Sequence, residues 1–192
     1  DPVFQIVGGR ALDLVSLLDL DQSGLNGNTN DQMMDTMVQS MGQANRASRA
    51  KALAKFSAER LNDATRIAAF SISGWDTHRR QSNTIGMPLR ELSDAIITLK
   101  KKLGKNWEKT AVVAVTEFGR SARENGSQGT DHGTGGALLM AGGTIRGGKV
   151  YGAWPGLGEG QLYADRDLKP TSDVRSYIAY LMQGLFGLEK SL

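Results

Sequence analysis

Ile67-Ala68-Ala69-Phe70-Ser71-Ile72-Ser73 runs directly into Gly74-Trp75-Asp76-Thr77-His78, and the reading of this junction decides the fold. The first stretch is apolar or small on both of its faces, the pattern of a strand buried from two sides. The glycine ends it, and a polar cluster follows. Residues 111–116 (AVVAVT) repeat the arrangement, a β-branched run that ends in Glu117-Phe118-Gly119-Arg120. A third run, residues 137–141 (ALLMA), is preceded by Thr130-Asp131-His132-Gly133-Thr134-Gly135-Gly136.

Helical patterns lie between and around these runs. Residues 88–103 place Leu89, Leu92, Ile96, Leu99 and Leu103 on an inner face, with Gly104 as the stop. Thr171 or Ser172 caps a helix over 173–186, with Val174, Ile178, Leu181, Met182 and Leu185 inward. Upstream, Asn30 is an N-cap, and Asp31 and Asp35 suit the positive end of a helix. Met34, Met37, Val38, Met41 and Ala44 recur at helical spacing, and the helix extends through Ala50, Leu53, Phe56 and Leu61 or breaks near Gly42. The methionine stripe reads as core filling, not as a cofactor box. Residues 2–7 form a strand or extended entry ended by Gly8-Gly9. Residues 11–20 are a short helix or buried connector, 21–30 a loop, and 149–153 a short edge strand. Strands alternating with helices, and apolar on both faces, predict an α/β fold with a mostly parallel sheet flanked by helices on both faces. No internal repeat or low-complexity tract interrupts it.

Composition narrows the function. A chain of 192 residues makes one α/β domain or the C-terminal part of one. Its mean hydropathy of −0.32 and the lack of a long apolar run exclude a transmembrane helix. A net charge of +3 is too mild for a nucleic-acid footprint. The Lys100-Lys101-Lys102 and Lys105 cluster falls in a helical pattern and reads as a solvated face. With no cysteine, disulfides, thiolate nucleophiles and cysteine zinc sites are excluded. Asp1-Pro2-Val3-Phe4 lacks the basic n-region of a signal peptide, although the chain does not begin with Met. The glycine-rich stretch from Gly119 to Gly160 reads as loops and tight turns.

The chemistry gathers where the strands end. Open α/β sheets bind ligands beyond the carboxyl ends of their strands. Both histidines of the chain, His78 and His132, fall in the clusters, each beside or two residues from an aspartate. Imidazole nitrogen and carboxylate oxygen are the usual donors to zinc, manganese or iron. Asp76 and His78 flank a single residue, so a shared contact requires the backbone to turn. Glu117 adds a carboxylate, and Arg120 adds a planar cation suited to phosphate, sulfate or carboxylate. Each feature also has a plainer reading: a hydrogen-bonded Asp–His pair, a Glu117–Arg120 salt bridge, a glycine turn.

GWDTH, TEFGR and the stretch 131–148 (DHGTGGALLMAGGTIRGG), continued by Val150-Tyr151-Gly152, together resemble a large bacterial family of uncharacterised proteins. That family is related to the alkaline phosphatase and sulfatase superfamily. Leu168-Lys169-Pro170-Thr171-Ser172-Asp173 is similar too, and the likeness covers roughly residues 60–187. It implies an alkaline-phosphatase-like fold, incomplete in this chain, with metal ligands at strand ends. Asp76 and His78 look like the Asp and His of one metal, and His132 like the histidine of the terminal metal motif. Glu117 and Asp131 would be further ligands or carboxylates that orient the imidazoles. Arg120, with Glu117, would belong to the catalytic set and hold an anionic group.

The implied cofactor is a divalent metal: zinc, manganese, calcium or magnesium. The implied substrate is a small anionic ester of phosphate or sulfate. The implied location is periplasmic or secreted. Two departures stand out. Phe118 occupies the place where the superfamily pairs an Asp with a His, and no Asp with a nucleophilic Ser or Thr matches upstream of Asp21. Two expectations follow: a metal-dependent hydrolase, or a binding or structural module that keeps the fold without catalysis. A nucleotide-binding reading fails, since Gly24-Leu25-Asn26-Gly27 matches neither a P-loop nor a dinucleotide fingerprint.

Overall fold

A computed structural model describes residues 3–6 and 46–188. The elements in chain order are β1 (Val3–Ile6), α1 (Arg46–Leu61), β2 (Thr65–Ala69), α2 (Gln81–Thr84), α3 (Gly86–Leu103), a 3-10 helix (Gly104–Lys109), β3 (Val112–Ala114), β4 (Gly119–Arg120), β5 (His132–Gly133), β6 (Leu139–Ala141) and α4 (Val174–Phe186). The expected features at 11–20, 21–30 and the methionine stripe 34–41 lie outside the described residues. The chain gathers into two compact units, Asp1–Ser73 with Met87–Gly104, and Gly74–Gly86 with Lys105–Leu192.

In the first unit, α1 turns a face of small residues inward: Ala50, Leu53, Ala54, Ser57 and Ala58 are all buried. Their spacing of three and four marks one helical stripe. Phe56, Ala52 and Phe70 pack on Leu53. Lys51 reaches Asp94 of α3 at 3.1 Å, and Asn62 Nδ2 donates to the Lys102 carbonyl at 2.9 Å. The helix expected over 88–103 is present and ends at Gly104, whose φ of +55° suits glycine. Its inner face differs from the leucine pattern. Pro88, Glu91, Ala95, Leu99 and Leu103 are buried, whereas Leu89 is 51% exposed. The stripe runs through a carboxylate and an alanine, which apolar periodicity does not select.

The strand pairing corrects the expectation of a mostly parallel sheet. Among the described residues one pair is parallel, β1 with β2, and two are antiparallel, β3 with β6 and β4 with β5. The strand foreseen at 67–73 begins at Thr65 and ends at Ala69, where its partner ends at Ile6. β3 with β6 and β4 with β5 form two separate antiparallel pairs, the second nested within the first in sequence. Ala114 pairs with Leu139, and farther in Gly119 pairs with Gly133, one residue off the continued register. No strand forms at 149–153. The last helix is capped by Asp173, not Thr171 or Ser172: the Asp173 backbone is extended and its side chain accepts from Arg175 N. None of the α4 residues expected to face inward is fully buried, and Val174, Ile178 and Leu185 stay 36% exposed.

Among the described residues, Leu162 is the buried apolar side chain of the second unit. Hydrogen bonds and close backbone contacts therefore order that unit. A Cβ at Gly119 would fall on the Gly135 carbonyl, and one at Gly129 on the His78 carbonyl. No described helix is long and apolar enough to cross a membrane.

Candidate metal centre

The centre is built within the second unit from two segments, 74–81 and 118–134. The first leaves its extended path at Gly74, which holds a φ of +98°. Thr77 N then donates to Trp75 O at 3.0 Å, an i to i+2 turn centred on Asp76. This is the turn that a contact between Asp76 and His78 requires. His78 Nε2 lies 3.0 Å from Asp76 Oδ1. The second segment enters on the inner hairpin pair, where Arg120 of β4 faces His132 of β5. That pairing places Arg120 Nη2 and His132 Nε2 each 2.9 Å from the same Asp76 oxygen.

The two segments are tied at several points. Arg120 Nη1 donates to Thr130 O at 2.8 Å and Nη2 to Trp75 O at 2.6 Å. Gln81 Oε1 accepts from Thr77 Oγ1 and Thr130 Oγ1, at 2.9 and 2.7 Å. Arg80 N and Gln81 N donate to Ser127 O and Gln128 O. Arg166 Nη2 supports the far side, donating to the His132 carbonyl at 3.1 Å.

Each imidazole has its own support. The other nitrogen of His78, Nδ1, lies 3.1 Å from Asp131 Oδ1. His132 is stacked on Phe118, with ring centroids 3.8 Å apart and planes at 20°. The rings of His78 and His132 stand 4.8 Å apart. The hydrogen bond from His132 lowers the Asp76 carboxyl below its ordinary value, helped by Arg120 and His78 and opposed by desolvation. Asp131 is lowered as well, first by the bond from Asn125 and then by His78. Both carboxylates are thus held ionised, the state in which they can bind a cation.

Asp76, His78 and His132 offer three donor atoms within 4.8 Å of one another. The set could hold a metal ion. Ligands bound at about 2.0–2.2 Å to one ion sit roughly 3–3.5 Å from each other, and the Asp76–His78 and Asp76–His132 separations are 3.0 and 2.9 Å. A two-imidazole, one-carboxylate set also leaves coordination positions open, as catalytic rather than structural sites do.

The sequence-selected residues separate into roles. Asp76, His78 and His132 come together as expected. Asp131 lies behind His78, on the nitrogen turned away from Asp76. Glu117 is exposed on the bend between β3 and β4 and is not part of the three-donor group. Arg120 is directed at Asp76 and two main-chain carbonyls. Asn125 and Gln81 were not singled out by the sequence reading. Asn125-Gly126 is a turn dipeptide, the one signal that could have drawn attention to the first.

A mixed helix-and-strand protein in which two imidazoles meet one aspartate, a set that could hold a metal ion, is the class that these observations define. The chain belongs to the family described as "Protein of unknown function (DUF1501)", whose model matches residues 10–191. No curated protein and no solved structure matches it.

Proposed function

We propose that this chain carries the metal centre of a metal-dependent hydrolase of phosphate or sulfate esters. The observation that supports the reading above others is the convergence of His78 Nε2 and His132 Nε2 on one oxygen of Asp76. The order of the GWDTH, EFGR and DHG motifs adds the likeness to the alkaline phosphatase and sulfatase superfamily and, with it, a periplasmic or secreted location. A bound zinc, manganese, calcium or magnesium ion would supply Lewis acidity toward the ester oxygen. Asp76, His78 and His132 hold it, Asp131 orients His78, and Arg120 keeps Asp76 aimed at the two rings.

Metal analysis with calorimetric titration of Zn2+ and Mn2+ tests the centre. One ion per chain is expected, lost in Asp76→Ala and His78→Ala. Stoichiometric binding that survives both substitutions refutes it. A panel of phosphate and sulfate esters, given to the full gene product with metal added, tests the hydrolase.

One observation favours a second reading, a binding or structural module without catalysis. The cation that would receive a substrate anion, Arg120, already donates to Trp75 O, Thr130 O and Asp76. Metal binding without turnover of any ester in the panel supports the module.

A further inference from the structure

The unit that holds the centre has little apolar core, so its imidazoles depend on hydrogen bonds for their position. Several of those bonds meet at Asn125. Its Oδ1 accepts from Ser127 N at 2.9 Å and Gly129 N at 3.1 Å. Its Nδ2 donates to the His78 carbonyl at 3.0 Å and to Asp131 Oδ1 at 2.8 Å. The main chain of Asn125 is fixed too, with its N–H on Gly129 O at 2.8 Å and its carbonyl taking Gln128 N at 3.2 Å. The direction of the amide follows from its partners: two donors on one side, two acceptors on the other. Turned over, it would meet like with like at every contact.

We propose that Asn125 is a positioning residue for the metal centre: it pins the Asp131 carboxylate against Nδ1 of His78 so that the ring presents Nε2 toward Asp76 and His132. The inference rests on the metal-centre reading. Asp131 Oδ1 is the point where Asn125 Nδ2 and His78 Nδ1 meet, at 2.8 and 3.1 Å. The bond made by one imidazole nitrogen decides which nitrogen carries the proton. Asp131 Oδ1 at Nδ1 and Asp76 Oδ1 at Nε2, 3.1 and 3.0 Å away, hold the ring from its two sides. On the other side, Asp76 Oδ1 already takes His132 Nε2 and Arg120 Nη2 at 2.9 Å each. The same amide grips the His78 carbonyl, so ring and backbone of that residue are referenced to one side chain. A loop-turn role alone would use only Oδ1; the Nδ2 bonds are what aim the histidine.

Asn125→Asp separates the two roles. It keeps an oxygen for the Ser127 and Gly129 amides and removes the donor facing Asp131. The readout is the ring 15N spectrum of the metal-free protein, labelled in histidine, at alkaline pH. In Asn125→Asp the His78 ring signals move while His132 keeps its own, and Zn2+ or Mn2+ affinity falls about 10- to 100-fold. Asn125→Ser, whose hydroxyl serves the loop but is too short for Asp131, gives the same shift. A His78 spectrum unmoved in a folded variant overturns the proposal. A ring that responds in a protein that binds neither metal leaves the positioning role standing and removes the metal reading. Metal bound normally with an unmoved ring does the reverse.

Discussion

Phe118 lies flat against His132, with ring centroids 3.8 Å apart and an interplanar angle of 20°. Phe118 is thus a wall for an imidazole located elsewhere in the chain. An aromatic pair of this kind contributes about 0.5–1.5 kcal/mol beyond its buried area. Phe118→Leu removes the flat surface and lets His132 rotate. Its Zn2+ affinity is expected to fall by up to about tenfold, with the circular dichroism spectrum unchanged. Phe118→Tyr keeps the stack and should bind like the unaltered protein. Equal affinity in Phe118→Leu would show that the stack does not constrain the ring.

Arg120 connects three acceptors, Trp75 O, Thr130 O and Asp76 Oδ1, with a side chain only 20% exposed. Lysine has no planar fork and cannot span them together. Arg120→Lys should lower unfolding stability by about 2 kcal/mol, the range for hydrogen bonds to a charged group. Urea unfolding measures this. A change in Michaelis constant with stability untouched would instead return Arg120 to the substrate side.

Asp173 gives a pH dependence with a definite sign. Hydrogen bonds from the Arg175 side chain and backbone hold its carboxyl at about 2, below the ordinary 3.8. A depressed folded value means that the stabilisation is fully present above 3.8 and is lost as pH falls toward 2. Carboxyl 13C titration should place the midpoint near 2 in the native protein and return it toward 3.8 in Arg175→Ala. Over the same window the first turn of α4 loses its cap, which helical ellipticity records. A midpoint near the ordinary value in the native protein would contradict the Asp173–Arg175 contact.

Leu53 is 2% exposed and is the large residue in a stripe of alanines and a serine on α1. Leu53→Ala leaves a cavity beneath Phe56 and Phe70. A loss of about 3 kcal/mol is expected in chemical unfolding, and Leu53→Met should lose far less. A loss below about 1 kcal/mol would mean that the site collapses freely.

The site was more legible in the sequence than the sheet. Asp76, His78 and His132 announce themselves by residue type, and a chain with two histidines leaves few ways to place imidazole. The lengths of α3 and α4 followed from periodicity and, for α3, from Gly104, which holds a positive φ. Strand direction did not follow. β3 and β6 are three residues long, and an apolar run of that length looks the same in a parallel or an antiparallel pair. The inner face of α3 was read correctly at Leu99 and Leu103 but missed at Glu91, a buried carboxylate that apolar periodicity does not select. Glu117 was drawn into the candidate set by its neighbours, yet it sits exposed on a bend. Asn125 was invisible because its role depends on where His78 and Asp131 meet, and they stand 53 positions apart in the chain.

The facing of Arg120 and His132 across the inner hairpin pair has a consequence for folding. These two residues reach Asp76 together because they stand opposite each other in one register. A slip of one residue in an antiparallel pair sends every side chain of the moved strand to the opposite face. The hairpin already carries a one-residue offset between its outer and inner pairs. Had the outer register simply continued inward, Arg120 would stand across from a glycine and His132 would be turned from Asp76. The centre is therefore tied to the inner register, in which Arg120 faces His132.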